Sequence, residues 1–379
     1  MKIIEIKAFP LSFAIPDHLN VSLGIGRAIK RDAILVKVTT ESGLVGWGEA
    51  HAGRAPGAIA QLINTTLRSL VVGYDATDVV GIWQRVYQMQ LASHGMGAAA
   101  AIGLSGIDMA CWDIRGKACG WPLYKLLGGS DKPVIAYAGG VSLGHQPPSE
   151  LIDEARVHVE HGFTAVKLRF GDSPSKDIAR GEAVRAAFGD DLKIMTDANT
   201  AYSVADAAAV MPGLDGIGAA WLEEPFAPHD HRSYKQTAAM GRTPLAAGEN
   251  HYTRFEFHRV IEDAVITVLQ PDLSKTGGIT EALRIAAMAS AWKHTVNPHT
   301  SVTGLNMAAS VHYLCAVDNA GYYEADVSQH NPFRDELTNA VCAVDSQGFV
   351  RPPQGPGLGV EVDEAAFAKF PVIEGPGYI

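Results

Sequence analysis

Asp197, Glu223 and Glu249 follow one another at intervals of 26 residues, and each closes a short apolar run: LKIMTD, AAWLEE and PLAAGE. A repeat of that length fits one strand plus one helix of an α/β barrel. The three acids are therefore expected at the C-terminal ends of successive parallel strands, the face of a barrel that carries the active site. A lone acid at a strand end also serves as a helix N-cap or a solvated loop residue; three in register point instead to a metal site. Converging carboxylates need a cation to stay ionised, and an all-oxygen donor set selects a hard metal, Mg²⁺ first and Mn²⁺ next.

Further along the same pattern, AVKLRF carries Lys167 and Arg169. Period-two spacing puts both on one face of a strand, here the barrel interior. Cations beside a metal site suit an anionic substrate, and a carboxylate is the simplest. QPDLSK supplies Asp272 and Lys275, VNPH ends on His299, and GYYEAD supplies Glu324. A lone His at a strand end is more often structural, but an Asp on the neighbouring strand fixes its tautomer and stabilises its charged form. Glu324 is read as an acid that hydrogen-bonds substrate or intermediate. The set describes proton abstraction alpha to a carboxylate. Metal and Lys167 would hold the resulting charge and His299 would be the base.

These residues need a scaffold. Residues 1 to about 50 read as strands (KIIEIKAFPL, AILVKVTTESG, LVGWGEA) and 56 to 127 as helices that stop at Gly120 and Pro122. Strands followed by helices predict an α+β lobe over 1–129. From Gly129 strand and helix alternate through eight strand candidates, VIAYAGGV to GYYEAD, which predicts a barrel over 130–350. The Pro- and Gly-rich tail, 351–379, is expected to pack on the N-terminal lobe. The fold class is α/β, a modified (β/α)7β TIM barrel with an α+β capping domain.

Composition narrows the partners. The 379 residues carry a net charge of −10, against nucleic acid or an anionic membrane surface as partner. Forty-seven per cent of residues are hydrophobic, yet no run approaches the ~20 apolar residues of a membrane helix. Cys111, Cys119, Cys315 and Cys342 are scattered and read as buried thiols in a reducing compartment. A cytoplasmic protein is expected.

The motifs K-x-R, TDAN, WLEEP, GEN, QPDLSKTGG and NPH together resemble the enolase superfamily, in its mandelate racemase subgroup. The resemblance spans almost the whole chain. It implies metal ligation by Asp197, Glu223 and Glu249, a His299–Asp272 dyad, carboxylate binding by Lys167 and an electrophilic Glu324. It also implies a substrate contact from Asn199 near the metal, and leaves Glu224 outside the ligand set. The racemases carry K-x-K, with the second lysine as a base opposite His; here that position is Arg169, which does not release a proton at neutral pH. A single base suits β-elimination. The expected reaction is therefore Mg²⁺-dependent dehydration of an acid sugar to a 2-keto-3-deoxy acid.

One alternative is a cycloisomerase of a sugar-acid lactone or anhydro sugar acid. Another is a racemase or epimerase with Lys275, otherwise a support of the metal shell, as second base. A binding protein on a dead barrel would lack a ligand or the dyad, and neither is missing. Substrate choice is expected from two capping segments, His18 to Arg27 and His51 to Arg54, with His18, Arg27, His51 and Arg54 as candidate contacts. A homo-oligomer is expected from the resemblance and the apolar composition.

Overall fold

The computed structural model describes residues 1–300, 302–339 and 342–379. The N-terminal strands form one antiparallel sheet, β1 (Ile3–Ala14), β2 (Lys30–Thr40) and β3 (Val45–Ala50), in that order. Gly43, at φ 80°, makes the tight turn between the last two. A long helix, α1 (Ala98–Cys119), covers β3 and stops at the left-handed Gly120. The contact is close because Gly48 has no side chain: a Cβ there would lie 2.2 Å from the carbonyl oxygen of Gly106.

The alternating half forms eight parallel strands: β4 (Val134–Gly139), β5 (Ala165–Arg169), β6 (Lys193–Asp197), β7 (Leu222–Glu223), β8 (Leu245–Ala247), β9 (Ile266–Leu269), β10 (Thr295–Val296) and β11 (Tyr323–Asp326). The sheet order is β10-β9-β8-β7-β6-β5-β4-β11. A parallel bridge between Val296 and Ala320 brings its two ends together. Helices such as α2 (Pro148–Glu160), α3 (Gly278–Ala291) and α4 (Gly304–Ala316) connect the strands. Inside the ring, Tyr137, Ala165, Met195, Trp221 and Ala246 form a buried apolar cluster. Lys167 and Arg169 follow Ala165 at period two and are buried on the same strand.

The cap is tied to the barrel by buried polar contacts. Asp108 of α1 accepts from the backbone N–H of Thr280 (2.9 Å) and from its hydroxyl (2.5 Å). Trp112 Nε1 donates to the same hydroxyl at 2.8 Å. These bonds hold the first turn of α3, directly after the segment that carries Asp272 and Lys275. The C-terminal residues also reach the cap: Leu358 N–H donates to Asp113 (2.9 Å), Ser12 N–H to Phe370 O (3.2 Å), and Ile29 N–H to Gly377 O (3.0 Å). Among the described residues no helix is long and apolar enough to cross a membrane.

Candidate active site

Strand register brings the acids together. Arg169, Asp197 and Glu223 are direct neighbours across β5, β6 and β7, each at its strand's last residue. Glu249 lies two residues past β8, after Gly248. Asp272 and His299 each lie three residues past their strands, β9 and β10.

Lys167 is fully buried at the centre of the cluster. Its Nζ lies 2.9 Å from Glu223 Oε1, 2.9 Å from Glu324 Oε1 and 3.6 Å from Asp197 Oδ2. Glu223 also accepts from Gln270 Nε2 (2.7 Å) and Trp221 Nε1 (3.3 Å). Arg169 pairs with Asp197 through Nη1 and with the Gly140 carbonyl through Nη2. Asn199 donates to Asp197 from its backbone N–H (2.8 Å) and its amide (3.1 Å), from a left-handed backbone at φ 45°.

His299 is held at both nitrogens: Nδ1 is 2.8 Å from Asp272 and Nε2 is 2.7 Å from Glu249. Burial alone would lower its pKa, but Glu249, Glu324 and the bonds from Asp272 and Glu249 hold it well above the ordinary value. The sequence assigned that shift to Asp272; the structure adds Glu249 as a larger contributor. Asp272 is buried, yet His299, Lys275 and His51 bring its carboxyl down to about 2.

Lys275 lies 3.5 Å from Glu249. Burial works against its charge, but Glu249 and Asp272 raise its pKa above the ordinary value. That makes it a poor second base. Glu324 is fully buried beside Lys167. Burial favours its neutral form, yet Lys167, His299 and Arg169 outweigh burial and hold it as a carboxylate.

The residues are suited to a divalent ion. As they stand among the described residues, no three His, Cys, Asp or Glu side chains form a ready ligand cluster, because Lys167, Arg169 and His299 span the carboxylates. Six acids nevertheless crowd this end of the barrel (Asp197, Glu223, Glu224, Glu249, Asp272 and Glu324) against the fixed charges of Lys167, Arg169 and Lys275. Burial pushes the Glu223 carboxyl up to about 7, with Lys167 opposing the rise and Asp197, Glu324 and Glu249 adding to it. Glu224 Oε1 is buried without a partner. An excess of oxygen donors over cations is the composition that a hard divalent ion completes.

Above these groups lies a cavity of about 520 Å³, lined by Arg169, Asn199, Glu249, Lys275 and His299 from the barrel and by His51 and Arg54 from the cap. Burial, followed by Lys275, lowers the His51 pKa to about 3. Gly53 N–H donates to His51 Nδ1 (2.9 Å), so the neutral ring carries its proton on Nε2. His18 borders a smaller, neighbouring cavity instead. Arg27 is exposed and borders neither, because a two-strand ribbon, Ser22–Leu23 with Gly26–Arg27, turns Leu23 and Ile25 to the cavity and Arg27 to solvent.

The sequence reading passed over Glu49 in GWGEA. From β3 it accepts from the Thr303 hydroxyl, Thr303 N–H (3.2 Å) and Asn306 N–H (3.3 Å). Asn306 Nδ2 then donates to Asp272 at 3.2 Å. Burial raises the Glu49 carboxyl well above the usual range. A charged residue ending an apolar strand was the available signal. Gln270, two residues before Asp272 and bonded to Glu223, was signalled by the same period-two logic that found Lys167 and Arg169.

A capped (β/α)7β barrel with acids on three successive strand ends and a His–Asp pair defines an enolase-type enzyme class. Residues 6–128 match the mandelate racemase/muconate lactonizing enzyme N-terminal domain and residues 150–366 the enolase C-terminal domain-like family. The chain belongs to the mandelate racemase/muconate lactonizing enzyme family of the enolase superfamily. It is 35% identical over 349 residues to D-galactonate dehydratase of Verminephrobacter eiseniae, covering 88% of this chain and 89% of that protein. It is 32% identical over 353 residues to D-galactarolactone cycloisomerase of Agrobacterium fabrum, covering 90% and 92%. A solved enolase-superfamily member from Polaromonas sp. JS666 superposes with a TM-score of 0.98 at 54% identity, over 100% of both chains.

Proposed function

We propose that this protein is a Mg²⁺-dependent acid-sugar dehydratase, a hydro-lyase that forms 2-keto-3-deoxy acids. The observation that carries the reading is the asymmetry of bases around the cavity. His299 has Nδ1 held by Asp272, and its Nε2, which meets Glu249 as the residues stand, would be released to act as a base once Glu249 holds the ion, whereas Arg169 does not release its proton. One base and fixed cations suit elimination better than two-base racemisation. The dehydratase relative supports the same reading.

Asp197, Glu223 and Glu249 would hold the ion, with Mn²⁺ a substitute. Bound there, it would supply positive charge to the substrate carboxylate and make the alpha hydrogen more acidic. His299 takes that proton at Nε2, with Asp272 holding Nδ1–H. The Cβ–O bond then breaks, and protonated His299 returns the proton to the departing hydroxyl, which leaves as water. The resulting enol becomes the 2-keto acid. Lys167 sets the charge balance of Glu223 and Glu324, and Asn199 orients Asp197.

Cycloisomerisation is the second reading, favoured by the Agrobacterium fabrum relative; the same proton abstraction would expel a ring oxygen. We further infer a cytoplasmic homo-oligomer built from a cap (1–129), a barrel (130–350) and a C-terminal tail (351–379). Incubating the protein and Mg²⁺ with a panel of acid sugars, with semicarbazide detection of keto acid, tests the reaction. Keto acid from at least one substrate, abolished by chelator, is expected. Ring opening without loss of water would replace the dehydratase with the cycloisomerase, and interconversion of 2-epimers would replace it with a racemase.

A further inference from the structure

Asp272 is held from two sides. Its Oδ2 faces His299 Nδ1 at 2.8 Å. Its Oδ1 accepts from Ser274 N–H and the Ser274 hydroxyl, both at 2.7 Å, and from Asn306 Nδ2 at 3.2 Å. Ser274 belongs to the same turn as Asp272 and moves with it. Asn306 is therefore the donor that ties this carboxylate to a separate element, the first turn of α4. Asn306 is fully buried, and its Oδ1 has no partner. The tie depends on the orientation of the amide, which if turned over would set an oxygen against the carboxylate.

Glu49 meets α4 at that same turn. It is the next-to-last residue of β3 and is buried. Three donors converge on its Oε2: the Thr303 hydroxyl, Thr303 N–H (3.2 Å) and Asn306 N–H (3.3 Å). Its Oε1 is buried with no partner. Burial outweighs the three bonds, and the charge of Asp272 acts in the same direction, so the neutral acid is favoured. A proton on Oε1 makes that oxygen a donor. The acceptor left without a donor is Oδ1 of Asn306, the residue that Oε2 already holds. Two residues further along, His51 N–H donates to Ser274 O at 3.0 Å, so the end of β3 meets the Asp272 turn at a second point.

A base works only where its supports hold it, and a displacement of about 1 Å costs on the order of 10²-fold in rate. We propose that Glu49 is a positioning residue for the proton transfer: it fixes the Asn306 amide, with Oδ1 turned to Glu49 and Nδ2 to Asp272, and so holds Asp272 against His299. The cap thereby sets the alignment of a base that belongs to the barrel. Neither Glu49 nor Asn306 lines the cavity, so neither is placed to touch substrate. This rests on His299 being the base of the proposed reaction.

The first test needs no substrate. Proton NMR of the resting, Mg²⁺-loaded protein in H₂O reads the low-field Nδ1–H resonance of His299, identified by its loss in His299→Asn. Wild type should show it, and so should Glu49→Gln, whose amide accepts at one end and donates at the other. Glu49→Ala and Asn306→Ala should shift it upfield or broaden it away. With an acid sugar that the wild type converts, both Ala variants should lower kcat roughly 10- to 100-fold while KM stays within about 3-fold. Glu49→Gln should keep kcat near the wild-type value. The double Ala variant should be no more than about 3-fold slower than the slower single one, because both residues act along one route. If Glu49→Ala fails to fold, Glu49→Asp, which withdraws the acid from α4, takes its place. An unchanged resonance in the folded variant, no such resonance in wild type, a Gln variant as impaired as Ala, or additive losses would overturn the proposal. Failure of the dehydratase reading shows separately: the resonance responds as expected, yet the wild-type enzyme forms no keto acid.

Discussion

Replacing Asp272 with Asn should silence His299 without disturbing the fold. Asp272 Oδ1 accepts from Ser274 N–H (2.7 Å), the Ser274 hydroxyl (2.7 Å) and Asn306 Nδ2 (3.2 Å). Oδ2 lies 2.8 Å from His299 Nδ1. Three donors will keep the Asn oxygen on the first side, so its NH₂ group faces the imidazole. Nδ1 must then accept, which moves the proton of the neutral ring to Nε2. Nε2 is the nitrogen that should receive the alpha proton, and a neutral ring already protonated there cannot do so. The same exchange in a hydrogen-bonded His–Asp pair lowers kcat by roughly 10⁴-fold, or about 5 kcal/mol of barrier. The assay is keto-acid release together with deuterium exchange of the alpha proton, with Mg²⁺ affinity and melting temperature as controls. Activity within about tenfold of wild type, with the controls unchanged, would refute the base assignment.

Three further outcomes are expected. Saturating Mg²⁺ should stabilise the protein by about 3 kcal/mol at a hundredfold excess over Kd, read as a rise in melting temperature; Asp197→Asn or Glu223→Gln should remove that rise, and its persistence would place the ion elsewhere. Asp108, pushed by burial to about 7 from an ordinary value of 3.8, binds a proton in the folded state that the unfolded chain releases. Its contribution is therefore complete below about pH 4 and declines as pH rises to about 7; Asp108→Asn should flatten that part of the stability profile, and an unchanged slope would contradict the burial argument. Glu49→Ala strands the Thr303 hydroxyl and the N–H groups of Thr303 and Asn306 and should cost about 3 kcal/mol or more by denaturant titration, whereas Glu49→Gln should recover much of it; equal losses would contradict a hydrogen-bonding role.

Local signals carried much of this. The 26-residue spacing worked because one strand–helix unit sets both chain length and angular position, so regular acids in sequence became neighbours across β6 and β7 and beside β8. Period two placed Lys167 and Arg169 inside the ring. Contacts between strands that are not paired neighbours were not legible. The sequence does not tell that Glu249 meets His299, or that Lys167 spans Glu223 and Glu324, because each pair lies two strands apart around the ring, with a strand between. The cap was harder still. Loop position alone suggested His18 and Arg27, but a short ribbon turned Arg27 outward. Arg54, also suggested by loop position, does line the cavity, and it is joined by Arg31, on a strand whose alternation read as ordinary sheet. Glu324 pairs with Lys167, six barrel strands earlier in the chain but only two strands away around the ring, across β4.

The central claim is that His299 removes the proton alpha to a carboxylate and water then leaves from the next carbon. Proton NMR of the reaction in D₂O, with Mg²⁺ and an acid sugar that the enzyme consumes, reads this directly. The account predicts a 2-keto-3-deoxy acid with solvent deuterium at C3 and no deuterated 2-epimer. A starting sugar returned with deuterium at C2 and inverted configuration, without keto acid, would contradict it.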